Sequence, residues 1–195
     1  SIADSNHISY SSKSYLIDGR HDLHNLCASI SVMRIIGLSL ENILISFDRR
    51  KRLEHRVEKF FTFNDIQFIN DSKSTNADST SNALKSLENN IILIMGGDNK
   101  KMSYKNLKNL INDKVKILIM IGENKNELDK LIDVNTEKVC FENLEDAISY
   151  IFSVMMPGDT VLMSPATSSY CMYDNYQHRG NHFKELVKKY ASQQN

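Results

Sequence analysis

The chain changes from apolar to densely polar within one short stretch, Phe68-Ile69-Asn70-Asp71-Ser72-Lys73-Ser74-Thr75-Asn76. The residues at 66–69 alternate in polarity, which is typical of a short strand, and the group at 70–72 favours a turn. Residues 77–87 then place small and apolar side chains on one helical face. The stretch predicts a strand, a polar turn and a helix, the arrangement in which α/β proteins bind ligands at the carboxyl ends of strands.

Length and composition are those of a soluble globular protein. The 195 residues are 41% hydrophobic and 25% charged, and the net charge is zero, which argues against a nucleic-acid or polybasic membrane role. The sequence has no apolar run near the ~20 residues of a transmembrane helix and no signal-peptide pattern at its start. Cys27, Cys140 and Cys171 are scattered without CxxC spacing, so we expect free thiols in a reducing cytoplasm.

Strand-like and helical patterns alternate through the larger part of the chain. The first predicted strand starts at 57 and leads into a hairpin turn at 63–65. The other predicted strands lie at 66–69, 91–95, 115–121, 138–141 and 160–163. The predicted helices lie at 77–87, 104–111, 126–132, 144–154 and 183–190. This order predicts an α/β fold with a Rossmann-like, mostly parallel sheet of five or six strands covered by helices on both faces.

The first 53 residues are different. Two helices are predicted there, at 23–36 and 40–47, and they are too little to form a domain. We therefore expect residues 1–53 to be the end of something larger, and residues 54–195 to form the Rossmann-like domain.

Polar side chains follow three of the buried strands. They are Asp71, Ser72, Lys73 and Thr75, then Asp98 and Lys100, then Ser164, Thr167, Ser168 and Ser169. In a doubly wound sheet these turns converge on one edge, where ammonium groups, hydroxyls and backbone amides suit a carboxylate or a phosphate. Asp71 is placed to accept from a ribose hydroxyl, although no GxGxxG or Walker A motif is present.

Several motifs, in this order, resemble the C-terminal part of the Mur ligase family, most closely its D-glutamate-adding members. They are Gly19-Arg20-His21-Asp22-Leu23-His24-Asn25, His55-Arg56-Val57-Glu58, Asn70 to Asn76, Gly96-Gly97-Asp98-Asn99-Lys100, Ser164-Pro165-Ala166, and Arg179-Gly180 with Phe183. The resemblance covers roughly residues 15–190. It implies that residues 1–53 are a remnant of the central ATP-binding domain.

The resemblance also implies a reaction and its ligands. The family forms an amide bond with ATP and magnesium: a carboxylate of UDP-N-acetylmuramoyl-L-alanine is phosphorylated, and the amine of D-glutamate displaces the phosphate. Asn25 would then contact adenine, Arg56 the nucleotide phosphates and Asp71 the ribose. The D-glutamate pocket would be formed by Lys73, Thr75, Lys100, Ser169 and Tyr176.

Some family features differ or lie outside the match. Asp22 replaces the first Asn of its motif, and Ser169-Tyr170-Cys171-Met172-Tyr173 replaces a Ser-Phe-Asp-x-Phe pattern. The family's P-loop lysine, its metal ligands and its UDP-binding domain lie upstream of the matched part. We therefore expect a C-terminal piece that packs against a central domain and is inactive alone.

Other interpretations of the same residues stay open. Asp71 is also a candidate helix cap, and Arg56 is also a candidate surface partner for Glu54 or Glu58. His178 and His182 have the spacing of a metal pair, and Ser168 or Ser169 is a nucleophile candidate without the usual elbow motif. The alternative function is a stand-alone Rossmann-like module that binds a nucleotide or an acidic amino acid without catalysis.

Overall fold

The computed structural model describes residues 2–3, 9–10, 20–48, 53–98, 103–123 and 125–194. The chain divides into two compact units, residues 1–52 and 53–195. The origin of the first unit as the remnant of an ATP-binding domain stays a prediction.

The described residues of the first unit form two short strands and two helices. They are β1 (Ile2–Ala3), β2 (Ser9–Tyr10), α1 (Arg20–Ile35) and α2 (Leu40–Asp48), and the two strands pair antiparallel. Leu26 and Ile30 of α1 pack with Leu40, Ile43 and Leu44 of α2 in a small core. Cys27 of α1 and Ile36, just after its end, are exposed.

A six-stranded sheet forms the centre of the second unit. Its strands are β3 (Glu58–Phe63), β4 (Ile66–Asn70), β5 (Ile91–Gly96), β6 (Val115–Ile121), β7 (Glu137–Phe141) and β8 (Thr160–Met163). The spatial order is β3-β4-β8-β5-β6-β7, and every neighbouring pair is parallel except β3 and β4. The mostly parallel sheet is therefore confirmed.

Helices cover both faces of this sheet. They are α3 (Ala77–Lys85), a 3-10 turn (Lys105–Leu107), α4 (Lys108–Lys114), α5 (Lys125–Leu131), α6 (Leu144–Val154) and α7 (Tyr176–Gln193). The central strand β5 shows why both faces are needed. Ile92 and Ile94 pack toward α6 and α7, whereas Leu93 and Met95 pack toward α3 and α4.

The last helix begins earlier than the pattern predicts. The predicted start is residue 183, but α7 starts at Tyr176. The first two turns are polar and contain Gly180, so they carry no apolar stripe. The cap explains the start: the Asn175 side chain accepts from the backbone N–H of His178 at 2.8 Å.

Candidate functional site

Three polar turns meet at the carboxyl ends of β4, β8 and β5. β8 lies between the other two strands, and backbone hydrogen bonds join the turns. Asp71 N–H donates to the carbonyl of Met163 at 2.8 Å, and Ala166 N–H donates to that of Ser74 at 3.0 Å. Asp98 N–H donates to the carbonyl of Ser168 at 3.1 Å. We call residues 71–76, 97–98 and 164–169 the strand-end edge; its predicted convergence is confirmed, and Lys100 lies outside the described residues.

Asp71 is the buried carboxylate of this edge, with an exposed fraction of 1%. Its Oδ1 accepts from the Val57 N–H at 3.1 Å, and its Oδ2 accepts from the Ser164 hydroxyl at 2.7 Å. Burial raises the pKa of Asp71, and the hydrogen bonds it accepts and the nearby charge of Arg56 oppose that rise. Its contact with ribose stays a prediction, and both of its oxygens are engaged within the protein.

Asn76, not Asp71, caps α3. The Asn76 side chain accepts from the Ser79 N–H at 2.8 Å, so the alternative interpretation of Asp71 as the cap is wrong.

The buried guanidinium of Arg179 fastens two of the turns together. Its Nε and one terminal nitrogen donate to the hydroxyl and the carbonyl of Ser72, at 3.0 and 2.9 Å. The other terminal nitrogen donates to the carbonyls of Thr167 and Ser168, both at 3.2 Å. Burial lowers the pKa of Arg179 to about 10. No role was predicted for Arg179, although the Arg179-Gly180 pair belongs to one of the sequence motifs.

Lys73 and Tyr176, predicted in one pocket, are in contact. The ammonium of Lys73 lies 5.5 Å from the centroid of the Tyr176 ring, within the range of a cation–π interaction. The Tyr176 ring also packs edge-to-face against the His55 ring, with a centroid distance of 5.9 Å. The Ser72 hydroxyl fixes the start of α7 by donating to the carbonyl of Tyr176 at 2.7 Å.

Hydroxyl groups and one glycine complete the strand-end edge. Thr75 is half-buried, and Ser169 is buried, with its carbonyl accepting from two backbone N–H groups of the following turn. The buried hydroxyl of Thr167 has no hydrogen-bond partner among the described residues. A Cβ on Gly97, whose φ is +141°, would lie 2.3 Å from the Ser168 carbonyl oxygen, so only glycine fits there.

Arg56 is the exposed residue of a turn beside this edge. Both of its neighbours have left-handed backbone, with φ of 63° at His55 and 43° at Val57. Among the described residues, Arg56 forms no ion pair with either alternative partner, Glu54 or Glu58. Glu58 accepts instead from Lys184 at 2.9 Å and from the His55 N–H at 2.9 Å.

The two histidines of α7 have separate partners. His182 Nδ1 lies 2.9 Å from the hydroxyl of Tyr173, and His178 Nδ1 lies 3.1 Å from Asp174. Within the described ranges, no three His, Cys, Asp or Glu side chains are grouped as metal ligands. The described helices also include none with the length and apolar character to cross a membrane.

Asn25 belongs to the first unit. It is an exposed residue of α1, and its carbonyl accepts from the Ser29 hydroxyl at 2.8 Å. The adenine contact expected of its side chain stays a prediction.

Sequence comparisons with known proteins identify one family. The model of the family "Mur ligase, glutamate ligase domain" matches residues 51–167. The UDP-N-acetylmuramoylalanine--D-glutamate ligases of Desulfitobacterium hafniense (strain DSM 10664 / DCB-2) and Caldicellulosiruptor bescii are 37% and 38% identical, over 88% and 89% of this chain. The chain spans only 38% of the length of each of these curated relatives.

Solved structures share the fold at lower identity. UDP-N-acetylmuramate-alanine ligase MurC from Thermotoga maritima matches with a TM-score of 0.64 and 17% identity, covering 90% of this chain and 39% of its own. The MurF ligase of the same organism, solved with ADP, matches with a TM-score of 0.63 and 14% identity, covering 89% and 39%.

Proposed function

This chain belongs to the Mur ligase family through its glutamate ligase domain, and from that premise we propose that it is the D-glutamate-binding part of a ligase that extends UDP-N-acetylmuramoyl-L-alanine. The relatives at 37% and 38% identity carry the name of that enzyme. The chain corresponds to a minor part of their length, so the complete reaction is assigned to the longer protein.

One observation carries the proposal: the turns after β4, β5 and β8 are joined into a single strand-end edge. Lys73, Thr75, Ser169 and Tyr176 come from two of these turns and from the start of α7. An ammonium beside an aromatic ring, with hydroxyls nearby, suits the carboxylates of D-glutamate. Lys100 follows β5 in sequence and is proposed as the second cation of this pocket.

The same edge is proposed to close over a nucleotide. Arg56 is exposed beside it and suits a phosphate because a guanidinium binds phosphate oxygens through paired donors. Asn25 is the proposed adenine contact in the first unit. ATP and magnesium would supply the phosphoryl transfer; the described residues offer Arg56 for the phosphates and show no metal-ligand group.

In this proposal the chain binds and orients substrates. It excludes water when it closes on the rest of the ligase. The amine of D-glutamate, held at the edge, would attack an acyl phosphate formed from the other substrate. The chain alone is expected to show no ligase activity.

Titration calorimetry of the chain with D-glutamate tests this proposal. We expect weak binding that Thr75→Ala and Lys100→Ala each abolish, and no binding of L-glutamate. Lys105→Ala is the matched control, because Lys105 is an exposed lysine outside the edge. Equal binding of the two enantiomers, or unchanged binding in both pocket variants, would contradict the proposed substrate.

A further inference from the structure

The turn at 55–57 holds an unfavourable backbone conformation. His55 and Val57 both have positive φ, and for a β-branched residue such as Val57 this is a true outlier. Such conformations persist only where the surrounding structure holds them, and they concentrate at functional sites. Arg56, between the two, is exposed.

Three hydrogen bonds to its backbone groups hold this turn. Asp71 Oδ1 accepts from the Val57 N–H at 3.1 Å, and Glu58 Oε2 accepts from the His55 N–H at 2.9 Å. The Lys73 N–H donates to the His55 carbonyl at 3.0 Å. The turn is thus fastened to the polar stretch after β4, and a buried carboxylate binds the amide immediately after Arg56.

Asp71 is also held at its second carboxylate oxygen. Its second oxygen accepts from the Ser164 hydroxyl at 2.7 Å, and that hydroxyl lies 2.9 Å from the hydroxyl of Thr80. The exposed fraction of Asp71 is only 1%. A carboxylate with both oxygens hydrogen-bonded and almost no exposed surface is held firmly, so it can in turn hold the Val57 amide from which it accepts.

We infer that Asp71 is a positioning residue: through the Val57 amide it holds the turn at 55–57, and with it the guanidinium of Arg56, in place for an oligophosphate anion. Asp71 then acts on the phosphates through Arg56. This inference rests on the phosphate-binding part of the proposed function and names the residue on which Arg56 depends.

The test measures tripolyphosphate and ATP binding by calorimetry on the full chain. Tripolyphosphate has no ribose, so a ribose contact cannot affect its affinity. Asp71→Ala is expected to weaken both ligands about tenfold, the effect of losing one hydrogen bond to a charged group. Asp71→Asn keeps an oxygen for the Val57 amide and is expected to stay within about twofold of wild type.

A double-mutant cycle separates positioning from direct contact. If Asp71 acts through Arg56, Arg56→Ala and the double variant lose the same affinity, because the second change has nothing left to displace. Asp159→Ala is the matched control: Asp159 is a buried carboxylate that accepts from the Met156 N–H at 2.8 Å and pairs with Lys116 at 2.9 Å. It lies before β8, at the opposite ends of the strands, and its loss is expected to leave tripolyphosphate affinity unchanged.

Amide exchange supplies a second readout that needs no ligand. The Val57 amide of the wild-type chain is expected to exchange slowly, and Asp71→Ala or Ser164→Ala is expected to accelerate it while Asp159→Ala does not. Rapid exchange of this amide in the wild-type chain overturns the inference, even if Asp71→Ala fails to fold.

Three binding results also overturn it: no tripolyphosphate binding by the wild-type chain, weakening of ATP but not of tripolyphosphate by Asp71→Ala, or additive losses in the cycle. D-glutamate titration of the same samples separates this inference from the proposed substrate. Loss of D-glutamate binding with an intact tripolyphosphate series contradicts the substrate and leaves the positioning role standing.

Discussion

Arg179 and Ser72 stand 107 residues apart in sequence, and the guanidinium of one donates to both the hydroxyl and the carbonyl of the other, at 3.0 and 2.9 Å. Further bonds reach the carbonyls of Thr167 and Ser168. The turns after β4 and β8 therefore depend on one buried side chain at the start of α7, and the shape of the strand-end edge depends on them.

Replacing Arg179 with alanine is expected to lower the free energy of unfolding by about 3–5 kcal/mol, because several carbonyls lose a charged donor and stay buried. Arg179→Lys is expected to recover only part of this loss, since an ammonium cannot reach both turns at once. Urea denaturation followed by circular dichroism measures both variants. The exposed Lys188→Ala on the same helix is the control, and an Arg179→Ala midpoint equal to that control's would contradict the role assigned to Arg179.

Gly180 is expected to tolerate no side chain. A Cβ at this position would lie 2.3 Å from His55 Nδ1 and 3.0 Å from Asn70 Nδ2. Gly180→Ala should cost about 1–3 kcal/mol of overpacking, although alanine at a free helical position gains about 0.5–1 kcal/mol over glycine. Thermal unfolding of Gly180→Ala beside the exposed Asn181→Ala decides the sign, and a raised melting temperature for Gly180→Ala would show that the contact is absent.

His55 is expected to make the stability depend on pH. Burial lowers its pKa below the ordinary 6.5, and the positive charge of Lys184 adds to this, against Glu58 and Glu54. The unfolded chain therefore takes up a proton at a higher pH than the folded chain. The stabilising contribution is complete above the unfolded pKa of 6.5 and is lost as the pH falls toward the folded value.

Urea midpoints of the wild type and His55→Gln, measured from about pH 7.5 down to about pH 5, test this expectation because glutamine does not titrate in that range. We expect the wild-type curve to fall more steeply on acidification than the variant's. Parallel curves would mean that His55 is not the group responsible.

The Asn76 cap is expected to contribute about 1 kcal/mol to stability. Asn76→Ala removes the acceptor for the Ser79 N–H, whereas Asn76→Asp keeps an acceptor and places a negative charge at the helix start. Chemical denaturation should therefore rank the wild type and Asn76→Asp together, above Asn76→Ala. An Asn76→Ala variant as stable as the wild type would disprove the cap.

The fold was largely predictable because continuous apolar runs mark strands that are buried on both faces. The runs at 91–95 and 115–121 became β5 and β6 with little change of bounds. The start of α7 was not predictable from periodicity, since Asn175 sets it and tertiary contacts stabilise its polar first turns.

The site was predictable as a set of strand ends but not in its internal bonds. Parallel topology alone brings Lys73 and Ser169 to one edge. The burial of Arg179 and the inward direction of Asp71 depend on acceptors and donors from distant segments, such as Ser72, Thr167 and Val57. No local sequence pattern indicates which of these groups form hydrogen bonds with each other.

The most direct test of the D-glutamate assignment is to follow backbone amide resonances of the 15N-labelled chain during titration with D-glutamate. Amides of the strand-end edge are expected to shift in a saturable way, those of Lys73, Thr75 and Ser169 above all. Amides at the opposite ends of the strands, such as Thr136 and Gly158, should not move, and L-glutamate should produce no saturable shift. Saturable shifts confined to another surface, or identical shifts with both enantiomers, would contradict the account.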